Sequence, residues 1–473
     1  MKLYEQFAEE LSALIRSGQL RAGERLPSVR EARARRGVSA STVFMAYQLL
    51  ERDGLVHARP QSGFYVSAQI SAGTAAPAST APRAEASEVA ISELVFEVLR
   101  AARSDGIAPL GSAFPGPELF PLPQLAKATF AGLRGQDPQT IVDNLSPGNP
   151  RLREQIAMRY RLDGVQVQAD EIVITNGALE ALNAALQVLT RPGDTVVIES
   201  PAFYAALQAI ERLKLKALEV HTDPVAGIDL DALREALSRH RVAACWLMPG
   251  FQNPLGSLMP EANKRALVAL LAEHAVPLIE DDVYAELFFD RQRPRPAKAS
   301  DSAGGVLHCG SFSKSLAPGY RLGWIAAGRY SQQVQRLTLM TTMSAALPAQ
   351  MAVLNYLETG AYDRHLRRLR TALRARMEAA LATIEASFPQ GTHVSRPRGG
   401  YFLWLALPPG GDAMALHRVA LRERIGIAPG QIFSPDHRFS HCIRINCGHS
   451  GSIVLPALQR LGALTHALLR EST

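Results

Sequence analysis

Residues 305–324 read GVLHCGSFSKSLAPGYRLGW. Val306 to Gly310 is a short apolar run of the kind that makes a buried strand, and Ser311-Phe312-Ser313-Lys314 stands where that strand would end. Pro318-Gly319 is turn chemistry, and Arg321 follows Lys314 by seven residues. A Ser-x-Ser-Lys alone marks nothing. Its place is what counts, because open α/β sheets carry their sites at the carboxyl ends of the strands.

Working outward, the same pattern recurs upstream. EIVIT (171–175) precedes GALEALNAALQVL (177–189), DTVVIES (194–200) precedes a helix from about Phe203, and ACWLMPG (244–250) and PLIEDD (277–282) follow. Strands alternating with helices predict a mostly parallel sheet covered on both faces. The strand ends then offer Asn176-Gly177-Ala178, Phe203, Asn253-Pro254, Asp281 with Tyr284, and Lys314. From about residue 345 the pattern changes to a long charged helix over 360–387 and short strands around Tyr401–Leu407 and Cys442–Asn446, the second carrying Arg444. This predicts a large α/β domain over about 110–340 and a smaller α+β domain over about 341–473, the latter taken together with 89–109.

Residues 67–88, SAQISAGTAAPASTAPRAEASE, hold almost nothing large and apolar. They read as a flexible linker, and as a random coil would span roughly 25 Å. Before it, residues 1–66 have their own periodicity. Tyr4, Phe7, Leu11, Leu14 and Ile15 recur at helical spacing up to Gly18. Ser28 and Glu31 form the Ser-x-x-Glu of a capping box, opening a second helix that Gly37 closes. Ser39 caps a third, with Val43, Ala46, Tyr47 and Leu50 as its buried face and Gly54 at its end. LVHAR and FYVS, separated by Pro60-Gln61-Ser62-Gly63, make a hairpin. The segment reads as a winged helix-turn-helix, α with a small β wing.

The 473 residues suffice for about three folding units. A hydrophobic share of 47% with 20% charged residues is globular and far from disorder. The net charge of +7 is modest for this length, so any nucleic-acid affinity must be local. Arg25, Arg30, Arg33, Arg35, Arg36 and Arg59 supply such a patch in the first segment. The four cysteines are scattered, with no His or second pair beside them, so neither a disulfide framework nor a metal site is expected. No apolar run of membrane-spanning length and no leader-like N-terminus is seen, which predicts a cytoplasmic protein with no membrane partner.

Two resemblances sharpen this reading. GxLRAGERLPSVRE with GVSASTVxxAY, over essentially all of residues 1–66, is similar to the GntR family of winged-helix regulators. It implies binding of a double-stranded DNA operator through Arg25, Ser28, Arg30, Ser39, Ser41, Thr42, Arg59 and Gly63. Ala40 stands where such families often carry an arginine, which removes a bidentate guanine contact.

The ordered set Asn176-Gly177-Ala178, Phe203, Asn253, Asp281, Tyr284, Ser311-x-Ser313-Lys314, Arg321 and Arg444 resembles the fold-type-I, class I/II aminotransferases over roughly 110–473. The resemblance implies pyridoxal 5'-phosphate (PLP) as cofactor. Lys314 would hold its aldehyde as an imine, Asp281 would keep the pyridine nitrogen protonated, and Asn253 and Tyr284 would meet the ring hydroxyl. Phe203 would stack on the ring. Gly177, Ala178, Ser311, Ser313 and Arg321 would take the phosphate, and Arg444 an amino-acid carboxylate. The tyrosine that in this family often reaches the phosphate from a second subunit has no counterpart in 143–148, DNLSPG.

A GntR-like domain joined to an aminotransferase-like one resembles the MocR/GabR group of transcription regulators. That implies a homodimer and an amino compound or vitamin B6 effector sensed through an aldimine at Lys314. The competing expectation is a working transaminase with an appended DNA-binding domain. A cofactor-free amino-acid binding module is disfavoured by Lys314 and Asp281 together.

Overall fold

The computed structural model describes residues 3–16, 19–20, 23–52, 55–59, 63–66, 75–78, 82, 84–101, 106–134 and 136–471. It falls into two compact units, Met1–Thr74 and Ala75–Thr473.

In the first unit, helices Leu3–Arg16, Val29–Arg36 and Ala40–Arg52 precede an antiparallel hairpin of Val56–Arg59 with Gly63–Val66. Phe7, Leu11, Ile15, Leu26, Val43, Ala46, Tyr47, Leu50, Val56 and Val66 close one core. Each large aliphatic side chain so buried contributes about 1.5–3 kcal/mol. The capping box is present in full: the Ser28 hydroxyl accepts from the Glu31 amide at 3.2 Å and the Ser28 amide donates to the Glu31 carboxylate at 2.8 Å. Gly37 ends that helix in the left-handed region, its amide donating to the Arg33 carbonyl at 3.0 Å. The Tyr47 hydroxyl donates to the Pro27 carbonyl at 2.7 Å and ties the third helix to the turn before the second. Gly18, Gly54 and 60–62 lie outside the described residues.

The second unit is built on a nine-stranded sheet among the described residues. Its order is Ser87–Glu88, Lys216–Asp223, Thr195–Ser200, Val242–Leu247, Leu278–Asp281, Val306–Ser311, Gly323–Ala326 and Ile172–Thr175, with Gly227–Ile228 attached to Lys216–Asp223. The central pairs are parallel, whereas Gly323–Ala326 runs antiparallel to both its neighbours. The two-residue period of a strand sorts its side chains. Val196 and Ile198 enter one core with helices Ala178–Leu189 and Tyr204–Arg212, while Val197 enters another with Leu233, Leu267 and Leu271.

The small sheet orders His393–Val394, Phe402–Ala406, Cys442–Asn446 and Ala428–Pro429, all antiparallel. Alternation again decides: Ile443 and Ile445 face a core with Leu403, Leu405, Leu458 and Leu461, which leaves Arg444 between them on the opposite side. Helix Gly451–Glu471 is long and apolar enough to span a membrane by length and composition, but its buried residues Val454, Leu458 and Leu461 belong to this core.

Two boundaries differ from expectation. Residues 89–101 do not join the small domain: Val89, Ile91, Val95 and Val98 pack into the core of the large sheet beside Leu207 and Ile210. Described residues of the expected flexible linker make contacts with the second unit. Ala75 accepts from the Val394 amide at 3.2 Å, Ala84 lies 2.8 Å from the His240 ring, and Ser87–Glu88 extends the large sheet.

Candidate functional site

The strand Val306–Ser311 delivers Ser313 and Lys314 to the carboxyl edge of the sheet. Lys314 Nζ donates to the Ala113 carbonyl at 2.6 Å and sits 3.7 Å from the centroid of the Phe114 ring and 5.9 Å from that of Tyr284. Burial, with the nearby Arg444 charge, pushes the Lys314 ammonium down to about 7 against the pull of Asp281.

Three acids follow one another in the neighbouring strand end, and their partners tell them apart. Glu280 accepts from the amides of Ala297 at 2.6 Å and Lys298 at 2.9 Å. Asp282 lies 3.0 Å from His308, whose other ring nitrogen is 2.6 Å from the Tyr160 hydroxyl, with Arg293 at 3.7 Å from the carboxylate. Asp281 is fully buried, and neither of its oxygens makes a hydrogen bond of good geometry, although the Val283 amide and the Trp246 indole face it. Burial, with the neighbouring Asp282 charge, pushes its carboxyl up to about 7 against the Val283 amide, Lys314 and the Trp246 indole. Such a group is costly unless something pairs with it.

Arg444, from the small sheet, is also fully buried. It donates to Asn253 Oδ1 at 3.0 Å and to the carbonyls of Gly111 at 2.8 Å and Ser112 at 3.2 Å, and it lies 4.2 Å from the Phe402 ring centroid, while its Nε has no partner. Asn253 in turn donates to the Tyr284 hydroxyl at 3.4 Å. Lys314, Asp281, Asn253, Tyr284 and Arg444 therefore form one cluster.

Beside it is a cradle suited to an anion. Gly177, at φ 88°, opens helix Ala178–Leu189 with no side-chain cap. A β-carbon on Gly177 would lie 2.6 Å from the Arg321 guanidinium, and one on Gly323 would lie 2.8 Å from the Ala178 amide nitrogen, so both glycines permit close approach. Arg321 donates to the Asn176 carbonyl at 3.2 Å. Ser311 Oγ accepts from the Ser313 amide at 3.0 Å, and the buried Ser313 Oγ has no partner. Free helix-terminal amides, an arginine and an unpaired hydroxyl are the chemistry that holds a phosphate. Phe203 is half-buried at the start of helix Tyr204–Arg212, its ring centroid 4.8 Å from that of Tyr204.

The sequence reading missed the segment Gly111–Phe114, whose carbonyls hold Arg444 and Lys314 and whose Phe114 ring covers the lysine. Backbone contacts leave no residue signature. It also missed Tyr401, whose hydroxyl donates to the Ala113 carbonyl at 3.0 Å, and the tie from Ser315 to the long helix through Tyr362 at 2.7 Å and His365 at 2.8 Å.

In the first unit Ser39 Oγ accepts from the Thr42 amide at 3.1 Å and lies 2.8 Å from both the Ser41 and the Thr42 hydroxyls. Arg25 is exposed and passes Gly63, whose added β-carbon would be 3.4 Å from the guanidinium. Arg30 and Arg33 are exposed, whereas Arg36 is engaged by Glu10 at 2.5 Å. The side chains of Arg35 and Arg59 lie outside the described residues.

Residues 3–66 match the bacterial regulatory proteins of the gntR family, and residues 121–461 match aminotransferase class I and II. The HTH-type transcriptional regulator YdcR of Escherichia coli K12, itself uncharacterized, is 48% identical over 98% of this chain and 99% of its own length. This chain belongs to the MocR-type regulators, a GntR domain fused to a class I and II aminotransferase domain. A second such relative, YjiR of the same organism, is 37% identical over 94% of this chain and 95% of its own. Among solved structures, the α-aminoadipate aminotransferase LysN of Thermus thermophilus, complexed with N-(5'-phosphopyridoxyl)-L-leucine, superposes with a TM-score of 0.72. It is 30% identical and covers 80% of this chain and 95% of its own. The GntR domain implies that the MocR-type chain binds DNA, and the aminotransferase family is PLP-dependent.

Proposed function

We propose that this MocR-type chain binds PLP at Lys314, senses an amino compound or a vitamin B6 form there, and transmits the event as a homodimer to a double-stranded operator held by residues 1–66. The observation that carries the reading is the unpaired carboxylate of Asp281 beside Lys314, with Ser313 Oγ and Arg444 Nε also lacking partners in the same region. A protonated pyridine nitrogen would satisfy the first, a phosphate oxygen the second and an effector carboxylate the third.

PLP, when bound, supplies an aldehyde that condenses with amines and a ring that withdraws electrons. The chain's own residues do the rest. Lys314, lowered to about 7, is partly neutral near neutral pH and so can act as a nucleophile. Asp281 would hold a proton at the ring nitrogen, Asn253 and Tyr284 would donate to the ring oxygen, and Phe203 would pack on the ring. Gly177, Ala178, Ser311, Ser313 and Arg321 neutralise the phosphate. Arg444, whose terminal nitrogens are held by Asn253, Gly111 and Ser112, would exchange some of these contacts to fork onto an effector carboxylate. Coupling to DNA requires that the effector favour one arrangement of the protein, at about 1–3 kcal/mol.

A second reading, a working aminotransferase with an appended DNA-binding domain, is favoured by the full set of site residues just named. Stopped-flow spectra with an amino donor and then a keto acid separate the two. A sensor stalls or turns over slowly after the first addition, and rapid completion of both half-reactions contradicts the sensor reading.

A further inference from the structure

The third helix of the N-terminal unit carries a face that its core does not use. Ala40, Ser41, Phe44, Met45 and Gln48 are exposed on one side, opposite the buried Val43, Ala46, Tyr47 and Leu50. Phe44 keeps 46% and Met45 45% of its surface in water, two large apolar side chains adjacent on a solvent face. Phe44 is braced by the wing: its ring centroid lies 6.5 Å from that of Phe64, which lies 5.2 Å from that of Tyr47.

The frame around this face is polar and cationic. The Ser39, Ser41 and Thr42 hydroxyls gather at the amino end of the helix, and Arg30 and Arg33 are exposed on the helix before it. Hydroxyls, helix-terminal amides and arginines suit phosphate oxygens, which fix position but carry no sequence information. Sequence is read from base edges, and among the described side chains from Ala40 to Gln48 on this face Ser41 and Gln48 can do so by hydrogen bonding. A methyl, a phenyl and a thioether have one feature to read in the major groove, the C5-methyl of thymine.

We propose that this chain recognises its operator chiefly through thymine C5-methyl groups packed against Ala40, Phe44 and Met45 in the major groove. The inference rests on the DNA-binding reading of residues 1–66 and adds to it the base that is read. It commits the operator half-sites to thymines at the positions this helix covers.

The test uses full-length protein and randomised DNA duplexes, from which bound sequences are selected. The selected duplex is remade with 2'-deoxyuridine for thymidine at one position at a time, which deletes only the methyl. Wild type loses about fourfold in affinity per contacted methyl, the value of burying one such group. Phe44→Ala and Met45→Gln each bind the thymidine and deoxyuridine forms alike at the positions the replaced side chain covers; Met45 lies outside the core, so its variant guards against a folding artefact. Equal wild-type affinity for both forms overturns the inference and leaves DNA binding standing. Failure to select any sequence overturns both. Methyl sensitivity that survives both substitutions, with altered stability or oligomeric state of the DNA-free protein, assigns the face to a protein partner and also overturns it.

Discussion

Replacing Asp281 by Asn separates a cofactor role from a structural one, because the two effects it should have carry opposite signs. The Asp281 carboxyl is raised by burial from an ordinary 3.8 to about 7 and makes no hydrogen bond of good geometry. A group whose folded pKa is raised favours the folded state when protonated, so the cost of ionising it is absent below about pH 4 and complete above about pH 7. That shift corresponds to at most about 4 kcal/mol at about 1.4 kcal/mol per unit. Asn leaves a buried amide, which costs about 1–3 kcal/mol. Cofactor-stripped Asp281→Asn should therefore be more stable than wild type at pH 8 by about 1–3 kcal/mol, and less stable by about 1–3 kcal/mol near pH 4, where the ionisation cost is gone and the amide's cost remains. PLP affinity should fall about ten- to a hundredfold, the worth of a charge-assisted hydrogen bond. Thermal denaturation of stripped protein at both pH values, with a PLP titration by absorbance, reads both effects. A stripped variant less stable than wild type at pH 8, with PLP affinity unchanged, would refute the reasoning.

Arg444→Lys keeps a charge but not the planar fork; it should lose about 1–3 kcal/mol of effector affinity, measured by effector titration of the cofactor spectrum, and should also lower thermal stability because the contacts to Asn253, Gly111 and Ser112 are lost. Glu199, pushed up to about 8 by burial, makes wild-type stability fall relative to Glu199→Gln by about 1.4 kcal/mol per pH unit from about 4.5 to about 8, checked by denaturant unfolding across that window. Operator affinity should fall steeply with salt, and Arg30→Ala should lower the slope of log affinity against log salt by about one, measured by fluorescence anisotropy.

Most of the fold was legible because hydrophobic period and turn chemistry act locally. The capping box at Ser28–Glu31, the Gly37 stop and the strand end at Ser311 all follow from spacing. The strand Gly323–Ala326 did not, since GWIA after a turn carries no sign of its antiparallel insertion beside Val306–Ser311. The contacts of Ala75, Ala84 and Ser87–Glu88 were hidden because alanine and serine say nothing of where a backbone finds its hydrogen bonds. In the site, side chains with a chemical task could be named in advance. The Gly111–Phe114 carbonyls that hold Lys314 and Arg444 could not, nor could the division of labour among Glu280, Asp281 and Asp282, which depends on Ala297, His308 and Arg293 from distant stretches of chain.

The most direct test of the regulator reading is the operator affinity of PLP-loaded protein with and without a saturating effector, found by screening amino compounds, with Lys314→Ala alongside. Wild type should shift by about five- to 150-fold, the range of a typical allosteric coupling, and Lys314→Ala by nothing. An affinity that is the same in every state, alongside rapid transamination of the same amino compounds, would contradict it.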